Sequence, residues 1–377
     1  MNIAFIATEK LPVPAIKGGA IQIYLDAIAK QIAKKHNVTI FSITHPDLPN
    51  EETKNGVHYV RFEEKGFIHS IADYVKSKSF HVIHVCNRPA WIEVIHEAAP
   101  NARLILSVHN EMFANEKISE VDGRKCISLA SKIVTVSDYI GTTITSRFPE
   151  AARKVKTVYS GVDVNQFHPN WTQTGREMKR IVRDKLGLQN KKVILFVGRL
   201  SKVKGPHILL QALPKIVEKH PDTVMVFIGS KWFGDDNINN YVKHLYTLGA
   251  LYPENVQFIK FVQPSEIASL FSMSDIFVCS SQWQEPLARV HYEAMACGLP
   301  IVTSKRGGNP EVIDEGKNGY VVGDFENPDA YAEVLNSLLN SSSRRIEMGQ
   351  YGRRKAESSF QWHHVVSNLL NVYESSL

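Results

Sequence analysis

Two glutamates, Glu285 and Glu293, stand eight positions apart in the segment QEPLARVHYEAMACGLPIVTS, residues 284–304. Pro286 between them is a natural first residue for a helix. That reading puts Glu285 at the helix entrance and Glu293 two turns further in, beside Ala294, Met295 and Ala296. A carboxylate in such apolar company needs partners, and ribose hydroxyls are good ones. A second cluster closes ILFVGRLSKVKG, residues 194–205, where a buried-strand pattern runs into Gly198, Arg199, Lys204 and Gly205. Two cations on one strand-to-helix loop, beside a helix N-terminus, suit a diphosphate.

Glycines mark two further places. Lys17-Gly18-Gly19-Ala20 directly precedes a helical pattern; it is either a plain tight turn or a close backbone approach to an anion. Arg306-Gly307-Gly308-Asn309-Pro310-Glu311 follows a strand and reads as another turn that presents N–H groups. His109 ends the strand pattern LILSVHN, and by itself reads as a capped strand-end histidine. Neither the six-residue glycine fingerprint of dinucleotide binding nor a Walker A loop occurs, which argues against a dehydrogenase or a P-loop ATPase. Asp235-Asp236 lies in a polar loop and reads as solvated. His81 and His84, three apart in a strand, face opposite sides and make a poor metal pair, and His363-His364 diverge as helix neighbours.

The elements that must position these groups alternate. Short apolar runs at Ile3–Ala7, Val38–Ser42, Val57–Phe62, His81–Cys86, Ala102–Val108, Lys132–Val136 and Val155–Tyr159 are separated mostly by helical patterns. Ile21, Leu25, Ile28 and Ile32 share one face of the first helix. The rhythm breaks over Gly161–Gly175 and restarts with Val193–Val197, Val224–Ile228, Val256–Ile259, Ile276–Cys279 and Pro300–Thr303. Helical patterns at Asp329–Asn340, Ser343–Ser358 and Gln361–Ser375 finish the chain. Such alternation predicts an α/β protein with two doubly wound, Rossmann-like domains. The expected first domain is 1–165, completed by a C-terminal helix at 360–377; the second is 176–359, with 166–175 as linker.

Composition agrees with two cored domains: 377 residues, 44% hydrophobic and 22% charged. The net charge of +6 is too diffuse to argue for nucleic acid. Cys86, Cys126, Cys279 and Cys297 form no Cys-x-x-Cys pair; three of them sit in or beside apolar runs and read as core fillers, and the set reads as a reducing compartment. With no signal-peptide pattern and no bilayer-length apolar stretch, a cytoplasmic protein is expected.

Taken together, the glycine pair at Gly18, GRLSKVKG, EPLARVHYE and GGNPE resemble the retaining glycosyltransferases of family 4, with the GT-B fold, over essentially the whole chain. The resemblance implies transfer of a hexosyl group from a nucleoside diphosphate sugar, by family habit a UDP-sugar, to an acceptor hydroxyl on a glycan, lipid or protein, in the cleft between two domains. It implies that Gly18 and Gly19 approach the diphosphate and sugar, that Arg199 and Lys204 neutralise the diphosphate, and that Glu293 binds the ribose. Glu285 and the backbone at Gly307, Gly308 and Asn309 would reach the sugar, with His109 near the reacting centre. Because cationic side chains supply the charge, no essential metal and no further cofactor is expected. The overall look is that of a coat component of spore-forming bacilli, which implies other spore coat proteins as partners and incorporation into the coat. Leu287-Ala288 replaces the usual Phe-Gly, Cys279-Ser280 the usual Pro-Ser, Lys260 a common glycine and Ser160 a common asparagine. These departures bear on donor identity and on activity. Two other readings stay open: a sugar-nucleotide epimerase of the same fold, and a scaffold that keeps the fold without the chemistry.

Overall fold

The computed structural model describes residues 1–229, 239–260, 262 and 266–375. Asp235-Asp236 lies outside them. The chain divides into two compact units, one of residues 1–161 with 362–377, the other of residues 162–361.

The first unit is built on a sheet of order β3-β4-β2-β1-β5-β6-β7-β8. Its strands are β1 (Asn2–Ile6), β2 (Asn37–Ile43), β3 (Glu51–Lys54), β4 (Val57–Phe62), β5 (Val82–Cys86), β6 (Arg103–Val108), β7 (Lys132–Thr135) and β8 (Val155–Thr157). All pairings are parallel except β3 with β4. β3, with sequence EETK, is an exposed polar edge strand that no apolar alternation announces. Helices α1 (Ala20–Ile32), α2 (Phe67–Lys76), α3 (Trp91–Ala98), α4 (Glu120–Leu129) and α5 (Asp138–Arg147) belong to this unit. In α1 the buried face is Gln22, Tyr24, Leu25, Ile28, Ala29 and Ile32, with Ile21 at its margin.

The second unit begins with α6 (Gln173–Leu186) and carries a parallel sheet of order β11-β10-β9-β12-β13-β14. These strands are β9 (Lys192–Val197), β10 (Thr223–Ile228), β11 (Val256–Ile259), β12 (Ile276–Cys279), β13 (Ile301–Ser304) and β14 (Gly319–Val322). Helices α7 (Pro206–Val217), α8 (Asn240–Ala250), α9 (Ile267–Ser272), α10 (Val290–Ala296), α11 (Pro328–Asn340) and α12 (Ser342–Ser359) complete it. The strands Thr223–Ile228, Ile276–Cys279 and Ile301–Ser304 are buried throughout, as a parallel sheet covered on both faces requires.

Residues 166–175, expected as a linker, lie inside the second unit. Thr172 caps α6 by accepting from Gly175 N–H at 3.0 Å. Trp171 packs so closely on Gly298 that a Cβ there would fall 2.3 Å from the indole. The chain leaves the second unit after Gln361; Phe360 just before it packs edge-on against Tyr292 with ring centroids 5.1 Å apart. The last helix, α13 (Trp362–Glu374), returns to the first unit. There Trp362, Val365, Leu369 and Tyr373 join the core of β1, β5 and α1. His363 and His364 do not diverge: their ring centroids are 3.9 Å apart.

Because Leu369 is fully buried in that core, Leu369→Ala should destabilise the first unit by ~2–5 kcal/mol. Hydrogen exchange should show lost protection in β1 and β5 and unchanged protection in β9 and β10. Equal loss in both units would refute the assignment of α13.

Candidate active site

Open parallel sheets bind ligands beyond the carboxyl ends of their strands, where the strand order reverses. In the second unit the chain steps outward from β9 to β10 and β11, then returns to the other flank of β9 with β12. The reversal therefore falls between β9 and β12. The loop after β9 carries Gly198, Arg199, Lys204 and Gly205; the loop after β12 carries Ser280 to Glu285. In the first unit the same reversal falls between β1 and β5. The loop after β1 ends at Gly18-Gly19, and Asn87 follows β5.

Glu285 is the best-fixed of the expected residues. It is only 6% exposed. Its Oε2 accepts from Lys204 Nζ at 2.6 Å, Ser281 Oγ at 2.8 Å and Trp283 Nε1 at 2.7 Å. Burial by itself raises a carboxyl's pKa; here the Lys204 charge and these hydrogen bonds outweigh it and hold the group below its ordinary value. The Lys204 ammonium also lies 5.5 Å from the centre of the Trp283 ring. Gly205 lets this loop in: a Cβ there would sit 2.0 Å from the Ser280 carbonyl, and its φ is +71°. The Ser280 hydroxyl donates to Gly205 O at 3.0 Å, tying the two loops together.

The turn at Gly307–Asn309 also comes to Glu285, but its N–H groups are not presented outward. Gly308 N–H donates to the Glu285 carbonyl at 2.8 Å, Gly307 N–H to Gln284 Oε1 at 2.7 Å and Asn309 N–H to Arg306 O at 3.3 Å. A Cβ on Gly307, where φ is +55°, would lie 1.9 Å from the Glu285 carbonyl. These bonds tie the turn to the acidic loop.

The helix expected from Pro286 starts later. α10 begins at Val290, so Glu285 precedes it by a short loop and Glu293 sits in its first turn. Ala288 N–H donates to Asn309 Oδ1 at 3.1 Å, outside any helical pattern. The Ala288 carbonyl accepts from His291 Nδ1 at 2.9 Å. A carbonyl can only accept, so that proton is on Nδ1, and Nε2 takes the Thr303 hydroxyl at 2.9 Å. Burial pushes the pKa of His291 down to about 4. Glu293 is raised by burial, opposed by Arg289 at 3.4 Å. Arg199 follows Gly198 at the end of β9, half-buried.

In the first unit, Gly18 and Gly19 have φ of +75° and +96° and lead into α1. A Cβ on Gly19 would lie 2.4 Å from Gln22 Oε1, whereas one on Gly18 would meet nothing within 4 Å. Tyr24 of α1 meets His109 edge-on, with ring centroids 5.4 Å apart. His109 N–H donates to Asn87 Oδ1 at 2.9 Å, and its Nε2 pairs with Ser107 Oγ at 3.1 Å. Asn87 holds a left-handed φ of +56° and is almost wholly buried. Burial pushes the pKa of His109 down to about 4, so the imidazole is neutral near pH 7.

Residues 18–166 match the model described as Glycosyltransferase Family 4, and residues 178–355 the model described as Glycosyl transferases group 1. The chain belongs to these GT-B glycosyltransferases. It is similar to Spore coat protein SA of Bacillus subtilis (strain 168), 62% identical over 376 residues and 100% of both chains. YtcC of the same strain is 43% identical over 377 residues, 100% of this chain and 93% of the relative. A solved structure, Anabaena Alr3699/HepE in complex with UDP-glucose, superposes with a TM-score of 0.77 at 22% identity, covering 100% of both chains. The glycosyltransferase is thus matched on both units, and no helix among the described residues is long and apolar enough to cross a membrane.

Of the expected residues, the fold joins Lys204, Glu285, Gly307, Gly308 and Asn309 in one cluster, and Gly18 and Gly19 with His109 through α1. Ser281, Trp283 and Ser107 were not anticipated. Trp283 stands two positions before a glutamate already singled out, which was the available signal.

His109 generates a direct test. Its folded pKa is about 4 against about 6.5 for the unfolded chain, so the unfolded chain binds the proton first. Folding therefore loses stability as pH falls from about 6.5 towards 4. Nitrogen-15 NMR should find His109 neutral down to about pH 5; a midpoint near 6.5 would contradict the packing described.

Proposed function

We propose that this glycosyltransferase moves a hexosyl group from a nucleoside diphosphate sugar to an acceptor hydroxyl with retention of configuration. The observation that carries the reading is the Lys204–Glu285 pair at 2.6 Å, set beyond the strand ends at the β9/β12 reversal. A nucleoside diphosphate leaves with one more negative charge than it carried in the donor, and Arg199 and Lys204 enter on the loop at that reversal. Preorganised cations help most where negative charge develops. Glu285 accepts from a sugar hydroxyl and Glu293 from the ribose, the role that suits a buried carboxylate facing neutral hydroxyl donors. In the first unit Gly18 and Gly19 lead into the α1 N-terminus, and His109 is kept as a neutral hydrogen-bonding group. UDP is the proposed base, in keeping with the UDP-glucose complex of the Anabaena protein. The similarity to Spore coat protein SA supports a place in the spore coat, with other coat proteins as partners and a coat or envelope glycan as acceptor.

Thermal melts with UDP, GDP, ADP and no nucleotide test the donor site. A ligand at ~100 times its dissociation constant stabilises by roughly 2.7 kcal/mol, which raises the midpoint by several degrees for a chain of this length. The shift should appear with one base and vanish in Arg199→Ala and Glu293→Ala. No shift with any nucleotide at millimolar concentration would favour a scaffold that has given up the chemistry.

The same electrostatic argument makes a divalent cation unnecessary, since side chains supply the positive charge. Sugar release from the donor should stay within about twofold on adding EDTA, a change of under ~0.5 kcal/mol in barrier. A large loss restored by magnesium would reverse the proposal.

A further inference from the structure

Trp283 touches both charged groups of the proposed donor site. Its indole N–H donates to Glu285 Oε2 at 2.7 Å, and the Lys204 ammonium lies 5.5 Å from its ring centre. Ser281 and Lys204 donate to the same oxygen. Oε1 of Glu285 accepts no hydrogen bond among the described residues, and it is not one of the sealed, unpartnered polar atoms. The carboxylate is therefore gripped by one oxygen and left open at the other. A tryptophan can do this because it has a donor but no acceptor. Its N–H can bond only the carboxylate, while its ring face attracts only the cation.

We propose that Trp283 is a positioning residue of the donor site. It holds Glu285 with Oε1 turned to a hydroxyl of the donor sugar, and keeps Lys204 on the aromatic face until the diphosphate takes the ammonium. The proposal rests on the roles given to Glu285 and Lys204 above and adds the group that sets their geometry. Ser281 is its smaller partner, supplying a second neutral donor to the same oxygen. Because both neutral donors bond the ionised carboxylate, they favour it over the acid. Loss of either raises the pKa of Glu285 towards the ordinary carboxyl value, and binding that needs the carboxylate then fails at a higher pH as the solution is acidified.

The test compares the full chain with Trp283→Phe, which keeps the ring and loses the N–H, and with Ser281→Ala. Calorimetry measures the affinity for UDP and for UDP-glucose, with the GDP and ADP pairs as parallel arms, between pH 4 and 8. The ratio of the two affinities isolates the sugar's contribution. In Trp283→Phe the nucleotide affinity should stay within about twofold while the sugar's contribution falls about tenfold, the scale of a hydrogen bond to a charged group. The acid limb of sugar-dependent binding should move to higher pH in both variants and be absent in Glu285→Gln. A merely structural tryptophan would lower the melting temperature and weaken both ligands alike, with the limb unmoved. Wild-type-like ratios and limb in Trp283→Phe and Ser281→Ala overturn the proposal. Failure of the wild-type chain to bind any nucleotide overturns the donor site itself, and Trp283 with it; the two failures are read in different proteins.

Discussion

A carboxylate taken out of water is costly unless charge and hydrogen bonds replace the solvent it loses. Glu285 is such a group, and much of the second unit's upper rim is arranged around it. Three donors converge on one of its oxygens. Its own carbonyl anchors the turn at Gly308. The loop after β9 must come close enough to deliver Lys204, which only a residue without a Cβ at position 205 allows. Glycine at 307 is required for the same reason on the opposite flank. The acid thus dictates two glycines, a lysine, a serine and a tryptophan, drawn from loops far apart in the chain.

An ammonium already paired with a carboxylate is held in place, so the diphosphate proposed above would meet a cation whose position costs little further ordering. His291 works beneath the same loop in a different way. Neutral, with its proton on Nδ1, it ties the Ala288 carbonyl to Thr303 on β13. Position 288 is where the family usually has glycine, and here an alanine is accommodated by a backbone fixed on both sides, through Asn309 at its N–H and His291 at its carbonyl.

The sequence made the charged groups visible because charge in apolar surroundings stands out: Arg199 and Lys204 after a strand of valine, leucine and phenylalanine, Glu293 beside alanine and methionine. The alternation of strands and helices was legible for the same reason, through buried apolar runs. What escaped was set by tertiary return of the chain. Pro286 read as a first helical residue, yet Asn309, from the far side of β13, takes the N–H of Ala288, and α10 opens only at Val290. The glycine turn read as one that presents its N–H groups, yet these are engaged by residues 284, 285 and 306. Strand β3 escaped because EETK pairs at an exposed edge and needs no apolar face. Trp283 and Ser281 escaped because only the loop's conformation brings positions 281, 283 and 285 onto one oxygen.

The second unit enters and leaves the chain at one place. Val162 N–H donates to the Phe360 carbonyl at 2.8 Å, and Val162 forms a parallel bridge with Gln361. On the other side, Gly161 lies against Trp362, close enough that a Cβ would fall 2.7 Å from the indole. The ends of the inserted unit therefore meet, and so do the ends of the unit that receives it. In genetic terms the second unit is a cassette: residues 162–361 can be exchanged as one segment with both junctions kept. A lineage built this way can change its second unit while leaving the first unit and its returning helix α13 untouched.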